Sequence, residues 1–258
     1  MNRLTDAIKH LIIINVILFV VPQLLQLDLT NILALHFPKN EHFGFWQYVT
    51  HMFMHGSFPH ILFNMYGLYA FGTPLEQMWG KKKFIFFYFS AGLGAGLIYT
   101  LVNYYQFNNA FEQIIASGVT DNQLNTILNF QGNTWGEFID NANKIISKSN
   151  NINYFEGLGD ELIKASKYYN TTAVGASGAV YGILVAFGLY FKDAKLALIF
   201  FPVPIAAKYF IPVMILGDLF FGMTKYSIGN IAHFAHLGGA LIGFIIAWYW
   251  KNNQFKVR

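Results

Sequence analysis

A few residues capable of chemistry interrupt otherwise apolar runs in this chain. Ser177 stands in "GASGAVYG", between Gly175 and Gly178 at the head of an apolar run, and Tyr181 follows it one helical turn later on the same face. "AHFAHLGGALIGF" supplies His233 and His236 ahead of Gly239 and Gly243. "HMFMHGSFPHILFNM" supplies His51 and His55, then His60 and Asn64 at a spacing of four that puts both on one helix face. A serine hydroxyl becomes a useful nucleophile when an imidazole within hydrogen-bond reach takes its proton and N–H donors face the developing oxygen charge. Ser177, His236, His60 and Asn64 are the residue types that such a centre needs, provided the fold brings them to one depth.

Each also has a structural reading. Gly178 with Gly182, and Gly239 with Gly243, are small-residue pairs of the kind that let membrane helices pack closely, and serine commonly accompanies them. Tyr181 reads equally as a core or interfacial aromatic. His51 and His55 read best as hydrogen-bonding an outer loop. Histidines at this spacing also make zinc ligands, yet no HExxH occurs and the chain has no cysteine, so no metal is expected. Asp218 is an acid within an apolar run; it could complete a triad or relay protons, but the favoured expectation is a carboxyl near a helix end, bonded to solvent.

The elements that must position these groups are membrane spans. Of the 258 residues 55% are hydrophobic and 12% charged, against about 25% charged in an average soluble domain. Six apolar runs approach the length of a crossing, at 8–27, 60–80, 84–104, 175–191, 209–223 and 231–250, the fourth and fifth being short. The first lacks a cleavage site and reads as a retained span. With the N-terminus in the cytoplasm, the inner segments carry Arg3, Lys9, Lys81, Lys82, Lys83, Lys192, Lys195, Lys208, Lys251, Lys256 and Arg258, and the short outer loops carry Lys39 and Lys225. That bias predicts six spans with both termini inside. The run 196–207, broken by Pro202 and Pro204, reads as a strip lying at the interface.

One long hydrophilic stretch, 106–171, falls outside in this topology. Its apolar residues recur at helical spacing in "NTWGEFIDNANKIISKS", which predicts short amphipathic helices over the outer mouth of the bundle.

With these residues in order along six spans, the sequence resembles the rhomboid family of intramembrane serine proteases. The family's GxSG stands as Gly175, Ala176, Ser177 and Gly178, its HxxxN as His60 to Asn64, and its AHxxGxxxG-type motif as Ala235, His236, Gly239 and Gly243. The resemblance implies an all-α membrane protein, a six-helix rhomboid-type bundle formed by 1–105 and 172–258, with 106–171 as an extracytoplasmic insert. It implies a Ser177/His236 dyad with no acid, Tyr181 packed under the imidazole, Gly175 and Gly178 supporting the serine turn, and an oxyanion site of His60, Asn64 and the Ser177 backbone N–H. No cofactor and no nucleic-acid partner are implied; the substrates would be single-span membrane proteins cut within the bilayer, in a cell (inner) membrane. The rival reading is a rhomboid-like binder of membrane helices that does not cut them. Where many members have Trp-Arg in the first outer loop, this chain has Trp46-Gln47, which puts the anchoring of that loop in doubt.

Overall fold

The computed structural model describes residues 4–130, 132, 134–148, 157–198, 201–224 and 232–253, with 197–198 and 201–203 described by backbone alone. The start of the sixth apolar run at 231, and Arg3, Lys225, Lys256 and Arg258 of the charge argument, lie outside the described residues.

The chain is mostly helical. In order it forms α1 (Asp6–Leu24), the short α2 (Thr30–Leu33) and α3 (Gln47–Thr50), α4 (Phe58–Gly67), a π-helical turn (Leu68–Gly72), α5 (Thr73–Trp79) and α6 (Lys81–Ala116). Then follow α7 (Asp121–Leu128), α8 (Trp135–Ile146), α9 (Leu158–Asn170), α10 (Ser177–Tyr190), the strands β1 (Lys195–Leu198) and β2 (Phe201–Ala206), α11 (Ala207–Met223) and α12 (His233–Asn253). Among the described residues each apolar run falls mainly on one helix except the second, which α4 and α5 share. The second is broken in the middle by the π turn, and the third extends to 36 residues. Among the described residues α1 and α6 are long and apolar enough to cross a membrane, and α10 is shorter and apolar.

The run after α10 departs from the predicted interfacial strip. It is an antiparallel strand pair in which Leu196 faces Ile205 and Lys195 faces Ala206. A two-stranded ladder consists of edge strands alone, which is where Pro202 and Pro204 can be accommodated despite their missing N–H groups.

Two compact units divide the contacts: residues 1–35, 44–99 and 173–258 form one, and 36–43 with 100–172 form the other. The first holds the bundle. Its core gathers Ile8, Leu68, Leu75, Phe84, Phe87, Tyr88 and Ile183. Many of its outward residues are also apolar, among them Ile17, Val20, Val213, Leu216, Phe244 and Ile245. So large an exposed apolar surface is unusual for a protein solvated by water alone.

The α6–α10–α12 packing depends on small residues. A β-carbon on Gly182 would fall 2.6 Å from that of Ala91 and 3.0 Å from the Gly239 carbonyl oxygen. On Gly243 it would fall 2.8 Å from the Gly182 carbonyl oxygen. These helices therefore approach nearly backbone to backbone, which fixes the depth of Ser177 relative to His236.

The second unit has its own core of Phe37, Phe107, Ile114, Leu124, Ile127, Phe138 and Tyr169. Two of its helices start on standard polar caps: Thr120 and Gln123 form a reciprocal capping box on α7, and Thr134 accepts from the Glu137 N–H on α8. Residues 36–43, which the sequence grouped with the first spans, belong here because Phe37 packs on Phe107 and Tyr169.

Candidate active site

The turn before α10 places the serine. Gly175 has φ +120°, a conformation that L side chains rarely adopt, and its N–H donates to the His51 carbonyl oxygen at 2.9 Å. A β-carbon there would fall 2.6 Å from His60 Nε2, so glycine also makes room for that ring. Just upstream, Ala173 and Leu35 exchange backbone hydrogen bonds at 2.9 and 3.0 Å, which ties the entering strand to the segment after α2. Ser177 then opens α10, where first-turn N–H groups have no intrahelical partner.

His236 reaches the serine from α12. Its Nε2 is 2.9 Å from Ser177 Oγ, and its ring stacks on Tyr181 at 4.2 Å between centroids with planes 10° apart. Its Nδ1 is 3.2 Å from Asp218 Oδ1, and the same oxygen is 2.6 Å from His233 Nδ1. Asp218 and His233 are buried. The tautomer that satisfies both sides of His236 carries its proton on Nδ1, donating to Asp218 and leaving Nε2 to accept from Ser177 Oγ–H.

This corrects the expectation for Asp218. It does not point at solvent: α11 turns it inward, one contact from the imidazole. The neighbouring histidine, His233, which the sequence supplied only as a companion to His236, proves to be the second partner of that carboxylate.

His60 and Asn64 stand on α4, whose N-terminus is capped by the Ser57 hydroxyl accepting from the His60 N–H at 3.3 Å. The buried Asn64 carboxamide donates to the His60 carbonyl oxygen at 3.0 Å. That bond uses one of its two N–H donors. The His55 and His60 rings meet edge to face at 5.0 Å. His51 is buried and bonds the Gln47 carbonyl oxygen through Nδ1 at 2.7 Å, so it has the structural part foreseen for it.

Gln47 answers the doubt about the first outer loop. It is fully buried, and its amide donates to the carbonyl oxygens of Asn31 and Ile32 at 3.3 and 3.4 Å. Trp46 Nε1 adds a bond to Ile32 at 2.7 Å, and the Thr50 hydroxyl one to Leu33 at 2.8 Å. The loop is thus anchored to the α2 segment without an arginine.

Comparison with known proteins places the chain in a family. The Rhomboid domain model matches residues 42–120 and 152–253. The chain is 24% identical over 208 residues to the rhomboid protease AarA of Providencia stuartii, covering 78% of this chain and 54% of that protein. It is 23% identical to the mitochondrial Rhomboid protein 1 of Saccharomyces cerevisiae, covering 80% of this chain and 42% of the relative. With the mitochondrial RHOMBOID-like protein 12 of Arabidopsis thaliana the identity is 26%, over 78% of this chain and 44% of the relative. The chain spans about half the length of these relatives. On the match to the Rhomboid domain across most of its length, the chain belongs to the rhomboid family.

Proposed function

We propose that this protein is an intramembrane serine endopeptidase that cuts single-span membrane proteins near the outer end of their helices. The observation that carries the reading is the 2.9 Å contact between Ser177 Oγ and His236 Nε2, made across 59 residues between α10 and α12. The name of one relative, the rhomboid protease AarA, supports it.

In this mechanism Ser177 Oγ attacks the scissile carbonyl carbon as His236 Nε2 takes its proton. The tetrahedral oxyanion is held by the Ser177 backbone N–H, His60 and Asn64, a role in which one donor is worth roughly 10²–10³ in rate. Collapse breaks the C–N bond, and His236 returns the proton to the leaving amine. Water then attacks the acyl carbon as His236 takes its proton, the bond to Ser177 Oγ breaks to release the carboxylic acid, and His236 returns the proton to Oγ. Tyr181 holds the imidazole by stacking. Asp218, which touches no reacting atom, is a positioning residue that keeps the His236 proton on Nδ1. The reading thereby extends the dyad with an acid that the family resemblance did not supply.

We place α1, the α4–α5 segment, α6, α10, α11 and α12 across a cell (inner) membrane, N- and C-termini in the cytoplasm, with 106–171 outside. The Lys/Arg asymmetry and the apolar outward faces of the bundle support this arrangement. A rhomboid-like binder without activity is the less favoured reading, because such a protein has no need of an imidazole in hydrogen-bond contact with a serine.

The test is cleavage in proteoliposomes. Purified protein is reconstituted with a panel of tagged single-span proteins, and products are sized by gel and mass spectrometry. The wild type yields two fragments from at least one substrate, cut within or at the outer end of the span; an intact panel overturns the reading.

A further inference from the structure

The carboxylate that positions the base also sits between two imidazoles. Asp218, His233 and His236 each present one donor atom, and the three atoms lie within 4.8 Å of one another. Asp218 Oδ1 is 2.6 Å from His233 Nδ1 and 3.2 Å from His236 Nδ1. Around tetrahedral zinc, donors at about 2.1 Å from the ion are roughly 3.4 Å apart. Two of the separations lie within about 1 Å of that value and the third is no more than 4.8 Å, so the side chains can close on an ion with its fourth position left to water. Two imidazole nitrogens and one carboxylate oxygen favour zinc over calcium or magnesium.

The absence of HExxH argued against zinc in the sequence, and that argument covers histidine ligands at i, i+4 on one helix. Here the donors come from α11 and from two positions on α12, a combination that no local motif encodes.

We propose that Asp218, His233 and His236 form an inhibitory site for zinc. The consequence follows from proton counting on His236. A neutral imidazole carries one N–H. Zinc on Nδ1 displaces that proton to Nε2, so Nε2 becomes a donor to Ser177 Oγ and can no longer accept the hydroxyl proton. No proton leaves the ring, and the enzyme is held in the wrong tautomer. The inhibitory effect rests on the reading of His236 as base, whereas the binding does not.

The experiment uses the purified full chain in detergent, with Co2+ as a spectroscopic probe and Zn2+ as competitor. The expected result is one ion per chain, with the visible absorption of a tetrahedral site, in both wild type and Ser177→Ala. Loss of one ligand, in His233→Gln or separately in Asp218→Asn, weakens binding by about tenfold or more. His55→Gln, on the neighbouring imidazole pair, leaves it unchanged. Fluorophosphonate labelling of the wild type falls as Zn2+ is added and returns with EDTA, whereas His233→Gln needs correspondingly more Zn2+. Stoichiometric binding that survives both ligand substitutions, or that is lost in His55→Gln, overturns the site, as does absence of binding to the wild type. Ligand-dependent binding in a wild type that never labels even without metal upholds the site and overturns the protease reading instead.

Discussion

Gly239 on α12 lies directly against the carbonyl of Gly178 on α10, so close that a β-carbon on Gly239 would overlap that oxygen. One residue before Gly178 is Ser177, and three before Gly239 is His236, so the same contact that joins the helices sets the distance between nucleophile and base. Gly239→Ala must push the helices apart. Overpacking of this kind typically costs about 1–3 kcal/mol. We predict an earlier thermal midpoint and a loss of serine labelling per folded molecule in Gly239→Ala. Gly217→Ala, where a β-carbon meets nothing within 4 Å, retains both.

In the proposed mechanism Tyr181 acts through its ring. Stacked aromatic pairs contribute about 0.5–1.5 kcal/mol, so removing the ring is expected to lower kcat by up to about tenfold with KM little changed. Tyr181→Phe keeps the 4.2 Å stack and should stay near wild type, whereas Tyr181→Ala should not. Equal losses in the two variants would assign the role to the hydroxyl.

Asn64 separates chemistry from packing. As an oxyanion donor it loses roughly 10²–10³ in kcat on Asn64→Ala, with unchanged KM and thermal midpoint. Early unfolding with normal turnover per folded molecule would assign its bond to His60 as its whole function.

Glu76 is a buried carboxylate that caps α1. It accepts from the Ala7 N–H at 2.8 Å and the Ile8 N–H at 3.0 Å, and the Thr5 hydroxyl also bonds it. Glu76→Ala leaves those groups without their acceptor, at about 1–3 kcal/mol for a buried donor. The expected outcome, read by thermal melting alongside labelling, is a lower midpoint with full labelling of the folded fraction.

The bundle helices were legible because a long apolar run marks where helix forms, even where, as at 60–80, the run is shared by two helices. The break at Leu68–Gly72 and the strand pair at 195–206 were not, since a π turn and a short ladder leave no periodic pattern of their own. Within the site, the types and order of Ser177, His60, Asn64 and His236 pointed to one chemistry. The meeting of Ser177 with His236 depends on the glycine contacts between α6, α10 and α12, which the sequence signals only as small-residue pairs. Asp218 was visible as an acid in an apolar run, yet nothing local aims it at His236; its direction is set by how α11 packs on α12. Gln47 and Glu76 were illegible as anchors because their partners are backbone groups, which carry no side-chain signature.

The central claim is that His236 activates Ser177, and covalent labelling tests it most directly. Intact-mass spectrometry of the purified protein in detergent, after reaction with a fluorophosphonate, reads one adduct per chain. The account predicts that adduct on Ser177 in the wild type and none in Ser177→Ala or His236→Ala, with both variants folded. A folded wild type that stays unmodified, or an adduct that persists at Ser177 in His236→Ala, would contradict it.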